Sequence, residues 1–365
     1  MTGLLAVISG CYVLVLRLLR SVFVRMVDDG PLPPVETFHP TVTILVPFRN
    51  EAAALPDLID ALRRLNYPRD LLEVMLIDDH SEDDSVALAR SSGFRLVSLP
   101  EGCTGKKQAL DFGIQLSKSE LIITTDADCR PEPEWIRAMV SVFADEQVQM
   151  VLGPVRLQAT TWFRRWQAME FSVLQTVTAV TADSGFPVMA NGANLAYRRS
   201  LYAAVGGYAD NFHIASGDDH FLLRKVAEKF PDSFRYAATS AAMVTTFPAD
   251  SFRAFISQRI RWASKWKEDW HLPGSLAAPA VVAFQFCSWL ILPYALWTGA
   301  WWWSLLWVAR CYADFSLIRS AGRFYLYPVR WLDFFLLELI LPVYMLLTAF
   351  ASMFWRGSWK GRPLI

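Results

Sequence analysis

Six short groups of residues carry side chains that could do chemistry or hold a membrane surface. Asp126-Ala127-Asp128 sets two carboxylates around one small residue. Such oxygens suit a hard divalent cation, Mg²⁺ or Mn²⁺, shared with substrate phosphates. Asp78-Asp79 is a second acidic pair, and Gly105-Lys106-Lys107 offers ammonium groups to a phosphate. Asp218-Asp219 follows Ser216-Gly217 and precedes Phe221-Leu222-Leu223. A carboxylate there either takes a proton from a substrate hydroxyl or simply favours a helix N-terminus. Gln258-Arg259-Ile260-Arg261-Trp262 lies where Trp262, Trp266 and Trp270 recur every four residues, the pattern of a helix on a membrane surface. Trp162-Phe163-Arg164-Arg165-Trp166 reads as a second interfacial element, or else as a helix packed on the domain. Taken singly, each group has a plain structural reading: most Asp-x-Asp triplets are solvated turns. Their position in the fold decides.

Residues 41–47 (TVTILVP) are β-branched and apolar, which suits a strand buried on both faces. Residues 50–65 follow with Leu55, Leu58, Ile59, Leu62 and Leu65 in one helical stripe. Strands are expected at 73–77, 95–99 and 120–125, and helices near 84–91 and 106–116. Strands alternating with helices imply a parallel sheet, whose ligands lie beyond the carboxyl ends of the strands. Both acidic groups, 78–79 and 126–128, fall at such ends.

Composition bounds the rest. The 365 residues hold 35 basic and 35 acidic side chains, 53% hydrophobic and only 19% charged residues. That excludes a disordered chain, a nucleic-acid binder held by bulk charge, and an ordinary cytosolic enzyme. The neutrality is a sum of unlike parts. Residues 1–25 carry +3 (Arg17, Arg20, Arg25), residues 26–271 carry −7 and residues 272–365 carry +4.

Both ends read as membrane. Residues 272–309 form a run of 38 without a charge, with Pro293 and the Gly299 region as places to turn. A crossing needs about 20 apolar residues, so the run has length for nearly two. Residues 331–355 carry only Asp333 and Glu338, and Arg310 and Asp314, four apart, can pair on one helix face. At the N-terminus the arginines follow the apolar core rather than precede it, which favours an uncleaved anchor over a signal peptide. The positive-inside tendency then puts the domain after them in the cytoplasm. Two C-terminal crossings keep the basic tail there, and three put it outside. The five cysteines show no metal-ligand spacing and read as small packing residues.

Together these pieces resemble the family 2 glycosyltransferases, inverting nucleotide-sugar enzymes with a GT-A fold and, often, a membrane anchor. The resemblance covers residues 40–265 or so and rests on motifs in order. Val46-Pro47-Phe48-Arg49-Asn50-Glu51 is similar to the opening nucleotide-binding signature, Asp78-Asp79-His80-Ser81 to the second acidic motif, and Gly105-Lys106-Lys107 to the segment after it. Asp126-Ala127-Asp128 matches the metal-binding triplet, and Asn191-Gly192-Ala193-Asn194 the acceptor-side region. Asp218-Asp219 stands where the family has its catalytic base, and Gln258, Arg261 and Trp262 match the QxxRW motif of membrane synthases.

The resemblance implies an α/β GT-A domain, a mostly parallel sheet flanked by helices, with transmembrane helices at both ends. Residues 1–26 would be an anchor, 38–271 the catalytic domain with interfacial helices, 272–355 two or three transmembrane helices, and 356–365 a basic tail. Pro47, Glu51, Asp78, Asp79 and Lys106 would hold the nucleotide, with Asp79 and Glu51 on uridine. Asp128 would ligate Mg²⁺ or Mn²⁺, with Asp126 on the ribose or metal side. Asp219, or in this sequence Asp218, would be the base, and Gln258, Arg261 and Trp262 would meet the diphosphate and acceptor end. The expected partners are a nucleotide-sugar donor, a lipid or glycan acceptor and membrane lipids, with no nucleic acid. The site is a multi-pass protein's cytoplasmic face at the cell membrane. Transfer of one sugar to a lipid, processive polysaccharide synthesis, and a catalytically inactive scaffold or transport protein are the three readings.

Overall fold

A computed structural model describes residues 2–30, 38–212, 217–264, 283–287, 289–354, 358–359 and 362–363. The chain divides into two compact units. The first gathers Met1–Met26, Leu157–Val177 and Pro248–Gly357; the second gathers Val27–Arg156, Thr178–Phe247 and Ser358–Ile365.

The second unit grows from strand β1 (Val42–Phe48), all seven of whose residues are buried. Its apolar run has no polar alternation because β1 is central, paired in parallel with β2 (Leu72–Asp78) on one side and β4 (Leu121–Thr124) on the other. Helix α2 (Leu55–Arg63) starts with Pro56 in its first turn and buries Leu55, Leu58, Ile59 and Leu62. Helix α3 (Ser85–Ser91) and strand β3 (Arg95–Ser98) follow, then α4 (Lys106–Leu116). Helix α4 lies close on the sheet at Gly113, where a Cβ would stand 2.6 Å from Ile77 Cδ1 and 2.9 Å from Leu45 Cδ2.

Beyond β4 come β5 (Arg130–Pro131), α5 (Trp135–Ser141), β6 (Met150–Leu152), β7 (Val155–Leu157) and α6 (Trp162–Asp183). They are followed by β8 (Leu195–Arg198), α7 (Arg199–Ala204), α8 (Asp218–Lys229), β9 (Phe234–Tyr236) and β10 (Val244–Thr246). The main sheet has seven strands in the order β3-β2-β1-β4-β8-β6-β9, with β8 antiparallel to both neighbours and the other pairs parallel. The chain runs outward from β1 to β3 and then returns to β4. That makes a topological switch point between β1 and β4, where open α/β sheets bind ligands.

The first unit is helical: α1 (Thr2–Asp28), α9 (Phe252–Ser264), α10 (Ile291–Thr298), α11 (Trp302–Phe324) and α12 (Trp331–Phe354), with the first part of α6. Two helices, Ala6–Asp28 and Trp331–Phe354, are long and apolar enough to cross a membrane. The uncharged run turns at Gly299, whose φ of 68° ends α10; its residues 272–282, like Trp266 and Trp270, lie outside the described ones. Arg310 and Asp314 do pair, at 3.3 Å, and Glu338 of α12 joins them 2.7 Å from the guanidinium. Tyr12 of α1 donates to Asp314 at 2.6 Å. In the second expected interfacial element, Trp162 is exposed and Trp166 is buried against Phe255 and Tyr344 on the inner face of α6.

Candidate active site

The site residues of the second unit come from the ends of β1, β2 and β4 and from the starts of α4 and α8. The turn after β1 carries Glu51, whose carbonyl accepts the N–H of Ala54 and Leu55 and so starts α2. Asn50 before it takes a left-handed φ of 51°, a conformation asparagine tolerates. Pro47 is the sixth residue of β1, paired with Ile77. Asp78 ends β2, and Asp79 opens the turn after it. Asp78 accepts the N–H of Ser81 at 3.0 Å. Asp79 is buried, donates its own N–H to Phe48 and accepts the N–H of Gly105 at 3.0 Å. Burial raises its carboxyl above the usual range, partly offset by the Gly105 N–H. The pair thus ties the turn after β2 to the start of α4.

Lys106, the first residue of α4, points at the turn after β4. Its Nζ stands 2.7 Å from Asp126 Oδ1 and 3.2 Å from Asp218 Oδ2. Asp218 and Asp219 open α8, as the capping reading expected, yet Asp218 is buried and Asp219 accepts the N–H of Gly192 at 3.2 Å. Gly192 leaves room for this meeting: a Cβ there would stand 2.8 Å from Asp218 Oδ2 and 3.0 Å from Lys106 Nζ. Its loop is pinned from behind. Thr124 donates to the Gly192 carbonyl at 2.9 Å, and buried Asn194 donates to the carbonyls of Pro154 and Ala242 while accepting from Trp135.

Asp126, Asp128 and Cys129 bring possible ligand atoms within 4.8 Å of one another. The Cys129 thiol is pushed well up by burial and by the charge of Asp128, so it stays protonated and packs. Cys11, by contrast, is exposed on α1. Two carboxylates remain. Asp128 is pushed up to about 6 by desolvation and by the charges of Asp126 and Glu51. Its side chain still presents open surface, so the repulsion among carboxylates is what a cation would relieve. Lys106 already answers Asp126, and no cationic group pairs with Asp128 among the described residues. Residues 126 and 128 therefore fit a hard divalent ion by donor type, and Asp128 does so also by a charge that no described cation answers.

Gln258, Arg261 and Trp262 lie together on α9, in the first unit. Between them, Arg259 is the buried residue. It forms an ion pair with Glu170, donates to Gln258 at 2.7 Å and lies over the rings of Phe255 and Trp262 at 4.5 and 4.3 Å. Tyr344 donates to the same Glu170 at 2.7 Å. The sequence reading passed over Arg259, although it shares one helical face with Phe255 and Trp262 at spacings of four and three.

Acidic pairs at the switch point of a mostly parallel sheet, with a lysine and a helix start facing them, make this unit a GT-A domain. The chain superposes on the mannosyltransferase PcManGT from Pyrobaculum calidifontis, in complex with GDP-Man and Mn²⁺, with a TM-score of 0.58 over 96% of this chain and 99% of that one, at 18% identity. Residues 43–206 match the glycosyl transferase family 2. The chain is 26% identical over 235 residues to the probable glycosyltransferase YdaM of Bacillus subtilis, covering 61% of this chain and 54% of the relative. It is 32% identical over 176 residues to an undecaprenyl-phosphate 4-deoxy-4-formamido-L-arabinose transferase of Pseudomonas savastanoi pv. phaseolicola, covering 45% and 49%. The chain thus spans about half the length of these two relatives.

Proposed function

We propose that this protein is an inverting glycosyltransferase. It moves a sugar from a nucleoside-diphosphate donor to a hydroxyl of a lipid or lipid-linked acceptor at the cytoplasmic face of the cell membrane. The observation that carries the reading is the meeting of Asp126, Lys106, Asp218 and the Gly192–Asp219 contact at one point of the sheet's carboxyl edge. Pro47, Glu51, Asp78 and Asp79 line the nucleotide side, and Lys106 reaches the diphosphate. Asp128, with Asp126, would hold Mg²⁺ or Mn²⁺, which when bound would supply positive charge to the departing diphosphate. Asp219 accepts the acceptor's hydroxyl proton as that oxygen bonds to the anomeric carbon. The bond from that carbon to the phosphate oxygen breaks, its electron pair leaves with the diphosphate, and the configuration inverts. Gln258, Arg261 and Trp262 serve the diphosphate and acceptor end.

Membrane placement is supported by the two helices of spanning length and by arginines at the C-terminal ends of α1 and α11. The undecaprenyl-phosphate relative makes a lipid-linked acceptor the first to test. Processive polysaccharide synthesis is the second reading, favoured by the Gln258/Arg261/Trp262 motif. A purified full chain is offered UDP- and GDP-sugars with Mn²⁺ or Mg²⁺ and a hydroxyl-bearing acceptor, either diacylglycerol or a polyprenyl-linked sugar, and products are weighed by mass spectrometry. One added sugar supports the first reading, and a ladder the second. Turnover that survives chelation, or survives Asp128→Asn, would sink the assignment of the metal carboxylates. No turnover with any donor would favour an inactive scaffold.

A further inference from the structure

We propose that the C-terminal halves of α1 and α11 form a binding groove for the phosphate of an anionic membrane lipid. The inference uses none of the residues assigned to donor, metal or base, and it stands whether or not the chain transfers a sugar. The two helices run side by side in the same direction. Tyr12 meets Asp314, Arg20 Nε donates to Ser320 at 3.0 Å, and Phe23 packs on Phe324 and Tyr325 at 5.6 and 6.2 Å. Their arginines therefore gather at one level.

Two adjoining cavities, of about 430 and 180 Å³, share Phe315, Arg319 and Arg323 in their walls, and the smaller one adds Arg20. Among the described residues no carboxylate lines either cavity. Arg319 and Arg323 are exposed and have no ion-pair partner among the described residues; Arg20 bonds only the Ser320 hydroxyl among them. Three guanidinium groups with no answering acid repel one another, and an anion between them removes that repulsion. Planar guanidinium forks match the geometry of phosphate oxygens. Phe315 stacks on Trp331 at 3.8 Å and 11°, which gives the groove a rigid aromatic wall.

A lipid is the source that the surroundings favour over a soluble phosphate. Leu14, Val15 and Leu18 on α1 and Leu305, Val308 and Tyr312 on α11 are exposed on the turns just N-terminal to the arginines. Apolar surface for acyl chains thus continues along the helices that carry the charge. Basic clusters at the end of a spanning helix attract anionic headgroups in the same way.

The test uses the full chain in neutral detergent. Native mass spectrometry and thermal unfolding are titrated with short-chain phosphatidylglycerol, phosphatidylcholine of equal chain length, and inorganic phosphate. Phosphatidylglycerol should bind about tenfold or more tightly than either of the others. Arg319→Gln with Arg323→Gln should weaken it by about tenfold or more, while Arg17→Gln, exposed on α1 outside the groove, should leave it unchanged. Equal binding of the two lipids to the unmodified chain overturns the proposal, and that comparison needs no variant. So does inorganic phosphate binding as tightly as the lipid. Unchanged affinity in the double variant, or an equal loss in Arg17→Gln, also overturns it.

Discussion

Lys106 and Asp126 form an ion pair of 2.7 Å that joins the first residue of α4 to the turn after β4, and Asp218 lies 3.2 Å from the same ammonium. Burial alone would lower the lysine's pKa, but the two carboxylates outweigh it and hold the group charged well above its ordinary value. Lys106 is thus the built-in cation of an acidic cleft. In Lys106→Gln the carboxylates face one another unanswered. Steady-state kinetics should show kcat/KM lower by about 10²–10³-fold, the usual cost of one lost donor to a developing anion. Activity within threefold of the unmodified chain would remove Lys106 from the site.

Gly192→Ala places a methyl against the Asp218 carboxylate, 2.8 Å away. Overpacking of this kind costs about 1–3 kcal/mol, and small displacements of catalytic groups cost about 10²-fold in rate. Thermal unfolding should show a modest loss, and kcat a disproportionate one. Unchanged kinetics would mean that Asp218 and Lys106 yield freely.

Asp218 and Asp219 separate by partner. Asp219→Asn should lower kcat by about 10²–10⁴-fold, the range of general-base catalysis, while donor binding by calorimetry stays intact. Asp218→Asn removes one of the two carboxylates that hold Lys106, leaving Asp126, and should disturb donor binding as well as kcat. The reverse pattern would assign the base to Asp218.

Asp79 sets a pH dependence of stability. Its carboxyl is raised by burial, so the folded state favours the protonated form. That stabilisation is fully present below the ordinary pKa of a carboxyl and is lost as pH rises through the raised one. Asp79→Asn keeps an acceptor for the Gly105 N–H and removes the ionisation. Its Tm should exceed that of the unmodified chain at pH 8, with the gap closing near pH 4, while nucleotide affinity falls. A gap independent of pH would contradict the assignment.

How much of this was legible depended on where each interaction lies along the chain. The strand at 42–48 was readable because it is buried on both faces, so its sequence is continuously apolar. Helix α4 begins at Lys106, directly after the glycine that signals it. The outer half of the sheet was silent: β6, β8 and β9 have three or four residues each, and Leu152 pairs with Leu195 far along the chain. The acidic motifs were visible as types, but their meeting depends on the Gly192 loop and on Asn194 behind it. The Arg310–Asp314 pair followed from helical spacing, whereas Glu338 joins from another helix and leaves no local trace. Arg259 shows how a strong motif can hide a residue, since attention to Gln258, Arg261 and Trp262 passed over the one buried between them.

Tyr12 reaches Asp314, and Gln285 donates to the Tyr12 hydroxyl at 2.5 Å while accepting from Arg310 at 2.5 Å. The N-terminal helix is therefore a wall of the helical unit and not merely a tether. Deleting residues 1–28 to obtain a water-soluble enzyme would strip Asp314 and Gln285 of a partner and bare Leu317 and Ala313, which pack on Tyr12 and Leu16. Such a shortened protein should aggregate in detergent-free buffer, and whoever prepares the protein should keep α1 and change the detergent instead.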